Sequence, residues 1–204
     1  MPKTQLVAAP ISAEAFAPFG WVVEPRGDGD QFCPALEPRL EGFDTPSSSS
    51  AVPRLYVMRL PSDRGRKFRD IARHDKVTQT LCGLGASLPW LLAVAPAAVE
   101  KPRAADLVAF AVPPRVAVTL KRGTWHAGPL FDAPGRAEEG QGGRTWKRAG
   151  GGKEEANEAE EEEGVDFLNL ELSDTNEKDR TLSAFAGEGG AEEAQEIEVL
   201  WPPV

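Results

Sequence analysis

Histidine, cysteine and tyrosine are nearly missing from this 204-residue chain, which holds two, two and one of them. Each shortage excludes something. Cys33 and Cys82 have no CxxC-type spacing, so neither a secreted disulfide framework nor a thiolate metal site is expected. A reducing, cytoplasmic setting follows from that cysteine usage. With two histidines, any imidazole chemistry must run through His74 or His126. No run approaches the roughly 18 apolar residues of a membrane span, so no membrane association is expected. The opening "MPKTQLVAAPISAEAF" contains no signal-type apolar core, and "WPPV" at the end is not a known address. No basic stripe interleaved with aromatics is present, which argues against nucleic acid as a partner.

What is abundant is turn-forming residue and acid. Glycine and proline number 20 and 18, favouring many turns over long helices. The net charge of −9 is unevenly placed. Residues 154–163 carry seven acids and 186–198 carry five, with no base in either, and without those twelve the rest is about +3. The acidity therefore belongs to peripheral segments and says little about a substrate. "ISAEAFAPFG" reads as a short helix capped by Ser12 and stopped by Pro18 and Gly20. Short strands are expected at 21–24, 54–60, 76–82, 89–95, 106–112, 115–120 and 165–172, with a last one near 197–201. Residues 45–53 have the composition of a mobile loop. Residues 133–163, Gly-rich and charged, cannot repay their ordering entropy and read as a disordered insertion in a single domain spanning 1–204. In "VDFLNLEL", alternation puts Phe167, Asn169 and Glu171 on one face and Leu168, Leu170 and Leu172 on the other. Many short strands and little helix imply an all-β barrel or double-sheet jelly roll.

Two stretches carry chemistry. In "RHDKVTQTLCGLG", His74 stands five residues before Gln79; in "RGTWHAGP", Gly123 stands three residues before His126. These spacings resemble the two signature stretches of the cupin superfamily, whose metal-binding members supply His-x-His and Glu from the first and Gly-x-x-His from the second. Here Lys76 replaces the second histidine and Gln79 the glutamate. Two imidazoles and a neutral amide make a poor shell for a divalent cation, and a lysine would repel it. No metal ligand set and no cofactor are therefore expected. Asp75 or Glu171 is the residue that could complete a cation site if one exists.

Together with "ISAEAFAPFGWVVE" and "DFLNLELSDTN", these stretches resemble the ureidoglycolate lyase family, from about residue 6 to 132 and again from 164 to about 182. Bacterial members tend to carry further histidines where this chain has Lys121 and Ala127, and "TWHAGPLF" is closer to the plant and algal branch. The resemblance implies a cupin-type jelly-roll barrel with a short N-terminal helix. It also implies cleavage of (S)-ureidoglycolate, a ureide of purine and allantoin breakdown, to glyoxylate and urea. That carbon–nitrogen lyase chemistry needs one acid/base group, a cation for the carboxylate and amide-type partners for the urea end. His126 suits the first role, and His74 could share it. Arg73, Lys121 or Arg122 could hold the carboxylate. Gln79 and Asn169 could serve the urea end, and Glu171 is either a second base or the group that fixes a histidine tautomer.

Bland readings stand beside these. His126 could be a strand-end histidine packed on Trp125, and His74 an exposed residue paired with a neighbouring charge. Gln79 and Asn169 could face solvent from short strands. Lys121 and Arg122 are adjacent and cannot both face inward from a strand. In function, the alternative is a non-catalytic cupin binding a small anionic metabolite. A metal-dependent cupin oxidoreductase is disfavoured by Lys76 and Gln79. A homodimer is expected, because barrel edges invite pairing between subunits.

Overall fold

A computed structural model of the chain describes residues 4–27, 39–43, 52–84, 89–132, 164–185 and 195–203. The 133–163 segment, Cys33, nearly all of the 45–53 loop and most of the 186–198 acidic run lie outside the described residues. The strands are β1 (Thr4–Val7), β2 (Ala9–Pro10), β3 (Gly20–Val23), β4 (Pro53–Pro61), β5 (Lys67–Phe68), β6 (Asp70–Arg73) and β7 (Gln79–Gly83). They continue with β8 (Trp90–Ala95), β9 (Val108–Val112), β10 (Ala117–Leu120), β11 (Trp125–Leu130), β12 (Gly164–Leu172), β13 (Thr181–Ala184) and β14 (Ile197–Leu200). The described helices are short: α1 (Ala13–Phe16), α2 (Thr175–Lys178) and a 3-10 turn at Ala104–Asp106. None is long and apolar enough to cross a membrane. The fold is all-β and cupin-like.

One sheet has the order β3-β10-β7-β12-β4, and a second β13-β6-β11-β8-β9-β2. A third, β1-β14-β5, joins the two ends of the chain through a parallel β1–β14 ladder, Leu6 opposite Val199. The longest ladder is antiparallel and runs from Gly164 opposite Pro61 to Leu172 opposite Pro53.

Period two explains the layering. Strand β8 is apolar and buried at every position. Its Trp90, Leu92 and Val94 pack with Phe110, Val118, Leu81 and Phe167, between the two large sheets. Its Leu91, Ala93 and Ala95 pack with Ala109, Trp125, Ile197 and Val199, toward the small sheet. A strand covered on both faces reads as a continuous apolar run, as "WLLAVA" does. On β12 the alternation holds, and the face that carries the polar side chains is the buried one. Phe167, Asn169 and Glu171 are the buried set, whereas Leu168 and Leu170 are only half-buried.

Helix α1 forms where expected: Ser12 accepts a hydrogen bond from the Ala15 amide at 3.1 Å, and Phe16 docks on Phe110 at 5.4 Å. Among the strand boundaries that differ from expectation, two have a visible cause. Lys76, Val77 and Thr78 precede β7 rather than belonging to it, because Thr78 pairs with the Glu41 backbone. Asp106 closes the 3-10 turn by capping the Arg103 amide, so β9 starts at Val108.

Phe167 is fully buried between Trp90, edge-on at 5.5 Å, and Phe131, stacked at 5.9 Å. Phe167→Ala should therefore cost about 3–5 kcal/mol, read as a lower urea midpoint with an unchanged slope.

Candidate active site

A cavity of about 520 Å³ opens between the two large sheets. Alternation aims the side chains into it. From the first sheet come Tyr56 and Met58 on β4, Gln79 and Leu81 on β7, and Asn169 on β12. From the second come Asp70, Ala72 and His74 along and just past β6, and His126 on β11. Arg64, Lys67, Asn176 and Arg180 close the rim.

The two imidazoles sit 5.2 Å apart between ring centroids, both buried. Each is pinned through Nδ1 to a backbone carbonyl: His74 to Asp179 at 2.8 Å, His126 to Thr124 at 3.0 Å. A carbonyl can only accept, so each neutral ring carries its proton on Nδ1 and keeps a bare Nε2. Asp179 is the splint for His74. Its carboxylate also takes the Asp75 and Lys76 amides, at 3.0 and 2.9 Å. The His74 carbonyl accepts the Gly123 amide at 2.6 Å, where Gly123 holds φ +77°. That left-handed turn lets the chain enter β11 with His126 facing inward, opposite Val94. Burial lowers the His126 pKa from 6.5 to about 4, with help from the charges of His74 and Arg180 and against its bond to Thr124. At neutral pH His126 is thus a proton acceptor.

Glu171 is fully buried and lies behind the cavity wall. Its Oε1 accepts from Arg54 Nη2 at 2.6 Å, Tyr56 at 3.1 Å and Asn176 at 3.2 Å, and its Oε2 from Gln79 Nε2 at 2.9 Å. Desolvation, and then the Glu171 charge, raise the Tyr56 pKa, so the phenol keeps its proton. Its oxygen in turn accepts from Asn169 Nδ2 at 2.8 Å.

The structure thus brings together His74, His126, Gln79 and Asn169, with Glu171 directly behind. It does not bring Arg73, Lys121 or Arg122 to the cavity. Arg73 alternates to the other face of β6, stacks over Trp125 at 4.8 Å and reaches Asp75 at 3.3 Å. Lys121 follows the end of β10, donates to the Ala17 carbonyl and lies over the Trp21 ring. Arg122 pairs with Glu41. Glu171 does not fix a histidine tautomer; the Thr124 and Asp179 carbonyls do that. Nor are its oxygens free to act as a base, given their four donors. The cations at the rim are Arg64, Lys67 and Arg180. Lys67 pairs with Glu196, Arg64 donates Nε to the Pro129 carbonyl at 2.6 Å, and Arg180 has no ion pair or hydrogen bond among the described residues. Sequence spacing carried no sign of Arg64 or Arg180, because both sit in irregular connections.

The donor set does not suit a divalent cation. Lys76 points away, donating to the Lys178 carbonyl, and Gln79 offers only an amide oxygen. Among the described residues no three of His, Cys, Asp and Glu come together as a ligand group.

The mouth of the cupin-like barrel thus holds the two buried imidazoles of His74 and His126, the two amides of Gln79 and Asn169, and cations at the rim, which is the lining of a polar small-molecule site. The family model described as Ureidoglycolate lyase matches residues 3–133, more than half of the chain. The chain belongs to the ureidoglycolate lyase family and is a lyase of that type. No curated protein matches it.

The buried state of His126 has a thermodynamic consequence. Above pH 6.5 its ring is neutral whether folded or unfolded. Between 6.5 and about 4 the unfolded chain takes up a proton that the folded one refuses. Stability should therefore fall with pH across that window, by on the order of 3 kcal/mol when complete. Urea titrations of wild type and His126→Asn at pH 7 and pH 4.5 should show a smaller loss in the variant.

Proposed function

We propose that this cavity cleaves (S)-ureidoglycolate to glyoxylate and urea, with His126 as the proton carrier, His74 as its neighbour and Arg180 and Arg64 holding the carboxylate. The observation that carries this reading is the pair of backbone-pinned imidazoles beside rim arginines that have no carboxylate partner among the described residues. A guanidinium suits a carboxylate because two parallel N–H donors match its two oxygens.

The substrate has a hydroxyl and a ureido nitrogen on the same carbon. Nε2 of His126 takes the hydroxyl proton, and the oxygen lone pair forms the glyoxylate carbonyl. The C–N bond pair leaves on nitrogen, and the same imidazolium proton is returned to it. Protons and electrons balance with no redox partner, and a single carrier suffices because donor and acceptor share one carbon. Desolvation favours return of the proton, since the charged ring is the unfavourable form here. Neither a metal nor an organic cofactor has a place in this scheme.

The chain in this reading is one cupin-like domain with 133–163 inserted between β11 and β12, working in the cytoplasm. It also forms a homodimer. Strand β4 is a nine-residue edge of its sheet, and its outer face carries the exposed Leu55 and Val57 beside Leu168 and Leu170. A two-fold copy would cover both the edge and that face.

Purified protein should release glyoxylate from (S)-ureidoglycolate, and His126→Ala should lower kcat by roughly 10²–10⁴ with its fold intact. Arg180→Ala should raise KM roughly 10–100-fold. The acid limb of kcat/KM should fall near pH 4 rather than 6.5. Absence of glyoxylate from the wild type would end this reading, and a monomeric mass by light scattering would end the dimer.

A further inference from the structure

Two buried polar atoms in the cavity wall have no hydrogen-bond partner among the described residues: Gln79 Oε1 and Asn169 Oδ1. Gln79 is 7% exposed and Asn169 1%. Orphan acceptors at that depth are costly unless something donates to them. Both amides belong to residues that line the cavity. Their orientation is not arbitrary. Each amide could be turned end for end, but Glu171 chooses. As an ion-paired carboxylate it can only accept, so Gln79 must give it Nε2–H. Tyr56 must likewise spend its single proton on Glu171, so its oxygen accepts from Asn169 Nδ2–H. Both carbonyl oxygens are thereby the ends left over.

We infer that Gln79 and Asn169 form a dedicated acceptor pair for the N–H groups of an unsubstituted ureido end, and that Glu171 is the positioning residue that fixes this polarity through direct and relayed hydrogen bonds. This deepens the lyase reading and rests on it for the identity of the substrate. A surface of acceptors alone rejects groups that bring only oxygen, and it rejects ureas whose nitrogens are alkylated. It also places the leaving nitrogen opposite the imidazole wall. The ligand class is a primary urea or ureide.

The test uses binding rather than turnover. Saturation-transfer NMR titrations would compare urea, tetramethylurea, which has no N–H, and glycolate, which has a carboxylate and no ureido group. Wild type should bind urea and glycolate but not tetramethylurea. Asn169→Leu should weaken urea roughly 3–10-fold with glycolate unchanged. Glu171→Gln, which frees the Gln79 amide to turn, should weaken urea similarly while leaving glycolate alone. In turnover the loss should appear in KM more than in kcat. Equal binding of urea and tetramethylurea by wild type overturns the inference, and needs no variant to fold. Parallel loss of urea and glycolate in folded variants also overturns it. Selective urea binding without glyoxylate production by wild type would end the lyase reading while leaving the acceptor pair standing.

Discussion

The carboxylate of Glu171 is the demand around which the first sheet is organised. A buried charge persists only where donors replace its water. Here those donors come from three elements besides its own strand: Arg54 and Tyr56 on β4, Gln79 on β7 and Asn176 on α2. β4 and β7 are the two strands that flank β12. The same bonds that make the charge tolerable cross-link the sheet, fold the α2 connection back over it and hold the amides of the cavity wall. Removing Arg54 or Glu171 alone would leave its partner uncompensated, which is where much of the cost of breaking such a pair lies. Site geometry and sheet stability thus share one cause.

The opposite wall is built by a different rule. There the His126 ring is kept uncharged rather than paired. His74 and His126 are held by backbone carbonyls, and among the described residues the Thr124 carbonyl is the one hydrogen-bond partner of the His126 ring. Burial and mutual repulsion then keep His126 neutral. A carboxylate in place of Thr124 O would have raised the basicity of His126 and held the proton there. A carrier that must take a proton and hand it back gains from holding it weakly. Asp179 shows the distinction within one residue. Its carbonyl orients His74, while its carboxylate is spent on the Asp75 and Lys76 amides.

Much of this was legible in the residues, and the limits have physical reasons. Period-two alternation identified the β12 face that carries Phe167, Asn169 and Glu171, because a strand flips side chains whatever its surroundings. It could not say that Leu168 and Leu170 on the other face would be less buried than Asn169 and Glu171, since that depends on which sheet lies opposite. His126 and Gln79 stood out because they lie on or at the start of regular strands with fixed spacing. Arg64 and Arg180 did not, because connections have no periodicity to read. Arg73, Lys121 and Arg122 attracted attention through nearness in sequence to a histidine. Nearness in sequence still puts a side chain on the wrong face of a strand, as at Arg73 beside His74, or past the end of one, as at Lys121. The pairing of β1 with β14 was equally hidden, since a parallel ladder between the chain ends leaves no local signature.

Gln79 ties these strands of argument together. In a metal-binding barrel of this type a glutamate is expected at that position, adding a negative charge to the cavity. The amide removes that charge and lets Glu171 sit close behind, which two adjacent carboxylates could do only with one of them protonated. With Glu171 balanced by Arg54, the only carboxylate lining the cavity among the described residues is Asp70, against Arg64, Lys67 and Arg180. Lys67 is already paired with Glu196, so the field left over is that of the two arginines set against Asp70. A low-dielectric cleft focuses such a field on an anion. Replacing a metal-ligating acid by an amide therefore does two jobs at once. In the proposed reading it weakens the site as a cation ligand set, and it leaves the cavity's positive rim for a substrate that brings its own carboxylate.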